Sequence, residues 1–146
     1  MDMQQIIEAV RGLDGSLVIT PEAGGPFPEL SWGDAYFYYA PDGRMPERTQ
    51  PYGTIITKDY PDDTSSALET PGRFRVNIHA GRERADALAV ADMPPTDVDV
   101  FHPHPLYGAS GWVCVIDPAT RTSDAVLALL REAHDSARSR AERRAR

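Results

Sequence analysis

The tract GWVCVID (111–117) sets the tightest limit on what this chain can fold into. Side chains of an extended segment alternate between its two faces, so five successive apolar residues, Trp112 to Ile116, leave neither face fit for open water. The tract reads as the last core strand of a sheet. TRTSDAVLALLREAHDSARSRAERR follows it and has the period of a long helix. Thr122 or Ser123 serves as N-cap, with Asp124 favourable in the first turn. Val126, Leu129, Leu130, Ala133 and Ala137 form an apolar stripe, while Arg131, Asp135 and Arg138 face water. Such a helix needs a surface to lie on. The expected arrangement puts the Gly111–Ile116 tract centrally beneath it, with the preceding turn as a hinge or rim.

The remaining elements are compatible with that sheet. Asp2 and Gln5 stand at capping-box spacing before Ile6, Ile7, Val10 and Leu13, and Gly12 or Gly15 can end that helix. SLVIT (16–20) reads as a short strand. WGDAYFYYAPDG reads as an aromatic strand closed by a Pro-Asp-Gly turn, with Tyr36 and Tyr38 on one face and Phe37 and Tyr39 on the other. GTIITK (53–58) is β-branched and compact. In RFRVNIHA (73–80), Phe74, Val76 and Ile78 point one way and Arg73, Arg75, Asn77 and His79 the other, which predicts one buried and one wetter face. GRERADALAVAD supports a short helix, MPPTD breaks it, and VDVF (98–101) gives a brief extended piece. Hairpin-length connections make this an α+β fold: one domain over 1–137, a largely antiparallel sheet of four to five strands, and helices on one face. Residues 138–146 form an Arg-rich helix end or tail.

Charge narrows the partners. The net charge is −7, and only Lys58 among 15 basic residues is lysine. Five arginines against one glutamate crowd residues 138–146, so the rest of the chain is more acidic than the total suggests. An acidic body repels nucleic-acid phosphates and anionic membranes. No apolar run approaches the ~18 residues of a membrane span, and MDMQQIIEAV does not read as a signal peptide. The cytoplasm is the expected location, and a monomer or homodimer the expected state. Cys114, the single cysteine, reads as a buried and inert thiol.

FHPHPLYGASGW is the segment that invites a chemical reading. His102 and His104 stand two apart in a proline-stiffened stretch, so both can face one side and reach one ion. A metal site needs at least a third donor, for which His79 and Asp99 are candidates. Read as structure, the segment is an irregular approach to a strand, with Gly108 and Gly111 free to take positive φ. Ser110 does not stand in a GxSxG elbow, and no nucleotide, phosphate, HExxH or EF-hand motif is present, so no cofactor is expected. TKDYPDD places Lys58 at a strand end and Asp59, Tyr60, Asp62 and Asp63 in the loop after it, as a ligand-orienting cluster or an exposed salt-bridge patch. Trp32 and Asp34 line a cleft or a strand edge. His79 is a pocket residue or is satisfied by a loop carboxylate.

Taken together, SWGDAYFYYAPDG, QPYGTIITKDYPDDT, FRVNIHAGR and HPLYGASGWVCVIDP resemble an uncharacterised, mostly actinobacterial domain-of-unknown-function family. The resemblance spans nearly the whole chain and implies no activity or cofactor. AYFYY, TIITK, GWVCV and the closing helix are more loosely similar to the MmcQ/YjbR-like proteins, small α+β domains. The expected function is binding of a small molecule or protein without evident catalysis. The expected ligand residues are Trp32, Asp34, Lys58 and Asp59 together with Tyr60, His79, His104 and Tyr107. Two alternatives stand beside it: a metal-assisted or histidine acid/base hydrolase using His79, His102 and His104, and weak nucleic-acid binding through the Arg-rich end.

Overall fold

Asp2 opens the first helix by a reciprocal cap. Its carboxylate accepts from the Gln5 amide at 2.8 Å, and the Gln5 side chain accepts from the Asp2 amide at 2.8 Å. Two of the orphan amides at the helix start are thereby satisfied. In the computed structural model, which describes residues 1–146, this helix α1 runs Met3–Arg11 and buries Ile6, Ile7 and Val10. Six strands follow: β1 (Ser16–Ile19), β2 (Ala35–Tyr39), β3 (Gly53–Ile56), β4 (Arg75–His79), β5 (His102–Pro103) and β6 (Trp112–Ile116). Helices α2 (Arg82–Leu88) and α3 (Ser123–Arg144) complete the α+β fold. The sheet is antiparallel throughout, in the order β1-β2-β3-β4-β6-β5.

Register separates the two faces cleanly. Ala35, Ile55, Val76 and Val115 lie side by side across the sheet, as do Phe37, Gly53, Ile78 and Val113. These rows meet Ile6 and Val10 of α1, Ala85 of α2, and Val126, Leu129 and Leu130 of α3 in one apolar core. All three helices therefore cover the same face. Its hydrophobic gain is the dominant stabilising term, at about 25 cal/mol for each Å² of apolar surface removed from water. His134 adds a polar tie: its Nε2 donates to the Asp14 carbonyl at 2.7 Å, leaving Nδ1 to accept from the Tyr52 hydroxyl at 3.0 Å.

Three expectations need correction. The sheet has six strands, and the extra one is His102–Pro103 rather than VDVF. Asp99 takes φ +57°, which breaks an extended path, and its carboxylate is spent on the start of α3. It accepts from the amides of Ala119, Arg121 and Thr122 and from the Thr122 hydroxyl at 2.6 Å. Thr122 thus occupies the N-cap position without using its own hydroxyl there. Second, β6 is buried as expected but sits second from the sheet edge. It is covered by α2, while α3 crosses β2 and β4. Third, only Gly111 of the expected pair has positive φ (+90°). Its carbonyl accepts from the Ala80 and Gly81 amides, and a Cβ there would stand 2.7 Å from the Gly81 carbonyl carbon. Glycine is the only residue that fits such an approach.

Candidate functional site

The face of β4 that carries Arg75 and Asn77 is polar but not wet. Arg75 is 0% exposed and Asn77 3%. In the sheet they lie in two rows, Ile56–Arg75–Ile116 and Tyr36–Thr54–Asn77–Cys114–His102. No helix covers this face. Residues from the 57–72 and 104–111 segments fold over part of it and leave a cleft of about 500 Å³.

Burying a guanidinium demands that all its donors find acceptors. The turn Tyr60-Pro61-Asp62-Asp63 supplies the main one. Proline favours its second position, and Tyr60 and Asp63 exchange backbone hydrogen bonds at 3.1 and 2.9 Å. Asp63 is thereby held against Arg75 in a two-pronged ion pair, Nη1 to Oδ1 at 3.0 Å and Nη2 to Oδ2 at 2.6 Å. Nη1 also donates to Ser66 Oγ at 2.8 Å, and Nε donates to Asn77 Oδ1 at 2.8 Å. Asn77 in turn donates to Thr54 Oγ1 at 2.9 Å. Burial alone would raise the Asp63 carboxyl, but the hydrogen bonds and charge of Arg75 hold it below the usual carboxylate range.

His104 closes this network from above. Its Nδ1 accepts from the amides of Leu106 and Tyr107, both at 3.1 Å, which fixes the turn that carries Tyr107. Burial, aided by the Arg75 charge, pushes its pKa down to about 4, so the ring is neutral at pH 7. A neutral ring whose Nδ1 accepts must carry its proton on Nε2. Nε2 lies 3.3 Å from Arg75 Nη2, itself a donor. Two donors thus face each other at the cleft floor. Around them stand aromatic walls from Tyr36, Tyr38, Tyr60, Tyr107 and Trp112, with the His104 ring 5.0 Å from that of Tyr107.

Of the eight residues expected to bind a ligand, Tyr60, His104 and Tyr107 line this cleft. Asp34 and Lys58 stand behind it. Asp34 is 1% exposed and accepts from the Thr57 amide and hydroxyl, from Lys58 Nζ at 3.2 Å, and from the Tyr60 hydroxyl. The Tyr60 phenol is raised by burial and by this carboxylate, and its oxygen lies 3.4 Å from that of Tyr36. Lys58 also donates to the Trp32 carbonyl at 2.8 Å. Lys58 is accordingly not a free cation: bound to Asp34, it helps to position Tyr60. Asp59 accepts from the Leu68 amide at 3.0 Å and shapes the covering loop. Trp32 lies outside the cleft, its indole donating to the Phe27 carbonyl.

The histidines have separate partners. His102 bonds the Asp97 carbonyl through Nε2 at 2.8 Å. The His79 ring lies against Trp112, centroids 5.5 Å apart and planes tilted by 48°, and forms no salt bridge with a loop carboxylate. Burial, then the nearby Arg140 charge, lowers its pKa. No group of three or more His, Cys, Asp or Glu side chains stands where it could hold a metal ion. Cys114 is buried, which pushes its thiol up to about 11. No helix is long and apolar enough to cross a membrane.

The cleft residues that sequence reasoning missed are Arg75, Trp112 and Asn77, with Tyr36 and Tyr38 of the walls. A signal for the first and third was present in the strict alternation of β4. An arginine and an asparagine between core aliphatics, followed or preceded by a long loop, can be a buried polar floor as readily as a solvated face.

Comparison with known proteins is brief. No curated protein and no solved structure matches the chain. The pattern of one family does match, from residue 1 to residue 146, and the chain belongs to it: DUF6194, a family of unknown function.

Proposed function

We propose that the chain binds a small polar organic molecule in the cleft on the open face of its sheet. One observation carries this reading: the Nε2–H of His104 and the Nη2 of Arg75 face each other 3.3 Å apart at the floor of an aromatic-walled cavity. Nη2 also donates to Asp63, but no protein acceptor bonds the His104 Nε2–H. An oxygen of a ligand, or a water it displaces, satisfies both donors at once. Tyr36, Tyr60, Tyr107 and Trp112 add large contact area with few rotatable bonds. A concave cleft in which aromatic walls meet fixed polar groups suits a small polar molecule. Of the sequence candidates, Tyr60, His104 and Tyr107 touch the ligand in this reading. Asp34 and Lys58 act through Tyr60.

Amide NMR of the full chain during a screen of small ring-bearing fragments tests it. Bound fragments move the Trp112 indole and the Tyr107 amide while the Trp32 indole, outside the cleft, stays still. Fragments that bind only elsewhere, or leave Trp112 unmoved throughout, contradict the reading.

A further inference from the structure

Beside the aromatic cleft lies a second hollow of about 610 Å³, and the two share Gln50, Pro51, Tyr107 and Trp112 as a common wall. Its own lining brings together Arg48, Arg140 and Arg144 with His79, and includes no aspartate or glutamate. On a chain with 22 acidic residues against 15 basic ones, such a concentration is unusual. None of the three arginines enters a salt bridge, whereas Arg138, two residues before Arg140, is paired with Glu142. Arg140 and Arg144 are four residues apart on α3 and so project from one side of it. The closing helix therefore runs past its stripe of core contacts and presents two guanidinium groups to the end of the cleft.

We infer that the cleft's ligand is an organic anion, its ring or planar part lying against Tyr107 and Trp112 and its phosphate or carboxylate held by Arg48, Arg140 and Arg144. The inference rests on the cleft being a ligand site. Guanidinium groups match both anions by paired hydrogen bonds. A concave cationic surface within an acidic body also focuses the local field, drawing an anion to this hollow in preference to the rest of the surface. The charge of Arg140 already reaches this wall, since it helps to keep His79 neutral.

The test uses full-length protein and five probes: phenyl phosphate, benzoate, benzamide, benzylamine and inorganic phosphate. The Trp112 indole and the arginine side-chain signals are followed by NMR. Phenyl phosphate and benzoate are expected to shift both sets, and phenyl phosphate to bind about ten-fold more tightly than benzamide. The Arg140→Ala/Arg144→Ala variant is expected to lose that advantage while binding benzamide as the parent does. These positions are on the outer part of α3, and an unchanged amide spectrum verifies the fold. Equal binding of benzamide or benzylamine, or an unaltered preference for phenyl phosphate in the variant, overturns the inference and leaves the cleft reading standing. Ring compounds that never reach Trp112, whether or not inorganic phosphate reaches the arginines, overturn both.

Discussion

The two faces of one sheet are built on opposite principles. On the helix-covered face, Phe37, Ile55, Val76, Ile78 and Val113 share one apolar core with α1, α2 and α3, and no charged side chain belongs to it. On the loop-covered face the same strands present Thr54, Arg75 and Asn77, equally withdrawn from water in the cases of Arg75 and Asn77 but held by directed bonds. The first face is stabilised by area and packing, which tolerate changes of shape within the same volume. The second depends on directed pairing of the charge, where loss of its carboxylate partner leaves a buried guanidinium uncompensated. A fold needs the first. The second costs desolvation and forms the floor of the cleft.

The largest effects that separate the faces come from deleting one residue on each. Phe37→Ala removes core contacts and should cost about 3–5 kcal/mol. Asp63→Ala leaves Arg75 unpaired and should cost about 3–5 kcal/mol as well. The two differ in rescue. Adding Arg75→Met to Asp63→Ala should return most of the loss, as measured by urea denaturation, whereas the same change should return nothing to Phe37→Ala. Failure of the rescue would mean that the guanidinium does not depend on Asp63 for its charge balance.

A smaller effect distinguishes the faces by pH. His104 stays neutral in the fold down to about pH 4 and takes up a proton near pH 6.5 when unfolded. Between those values the unfolded chain binds the extra proton, so stability is complete above pH 6.5 and falls as pH approaches 4. The full loss is roughly 3 kcal/mol. His79 shifts in the same direction but is partly solvated and contributes less. Denaturation of a His104→Gln variant at pH 7, 5.5 and 4.5 should show a flatter profile than the parent. An unchanged slope would put the acid sensitivity elsewhere. Asp63 and Asp99 act at lower pH, because their folded-state values lie below the ordinary carboxylate range.

The smallest expected stability change is at the cleft mouth. Tyr107 is 54% exposed, so Tyr107→Ala should alter stability by no more than about 0.5 kcal/mol. The same substitution should weaken fragment binding at Trp112. Binding that survives intact would remove Tyr107 from the site.

Much of this architecture was legible in residue order because local signals and the global fold agree. The Asp2–Gln5 cap, the alternation of Tyr36 to Tyr39, and the stripe on α3 each have a period or spacing that only one local structure satisfies. The α+β class followed from them. The cleft was legible in part. Tyr60, His104 and Tyr107 sit in loops next to strand ends, where ligand residues gather. Arg75 and Asn77 were recognised as sharing a face but read as solvated, since alternation reports which face a residue takes and not what lies above it. The partners Asp63 and Ser66 come from a loop whose folding over the sheet has no periodic signature. The roles of Asp99 and Lys58 were hidden for the same reason: each is satisfied by backbone groups distant in sequence.

The protonation state of His104 tests the account most directly, because the open-face cleft depends on a neutral ring offering Nε2–H beside Arg75. Nitrogen-15 NMR of the imidazole at pH 7 should show a proton on Nε2 and a bare Nδ1, unchanged until the pH nears 4. A ring doubly protonated at pH 6, or one carrying its proton on Nδ1, would contradict it.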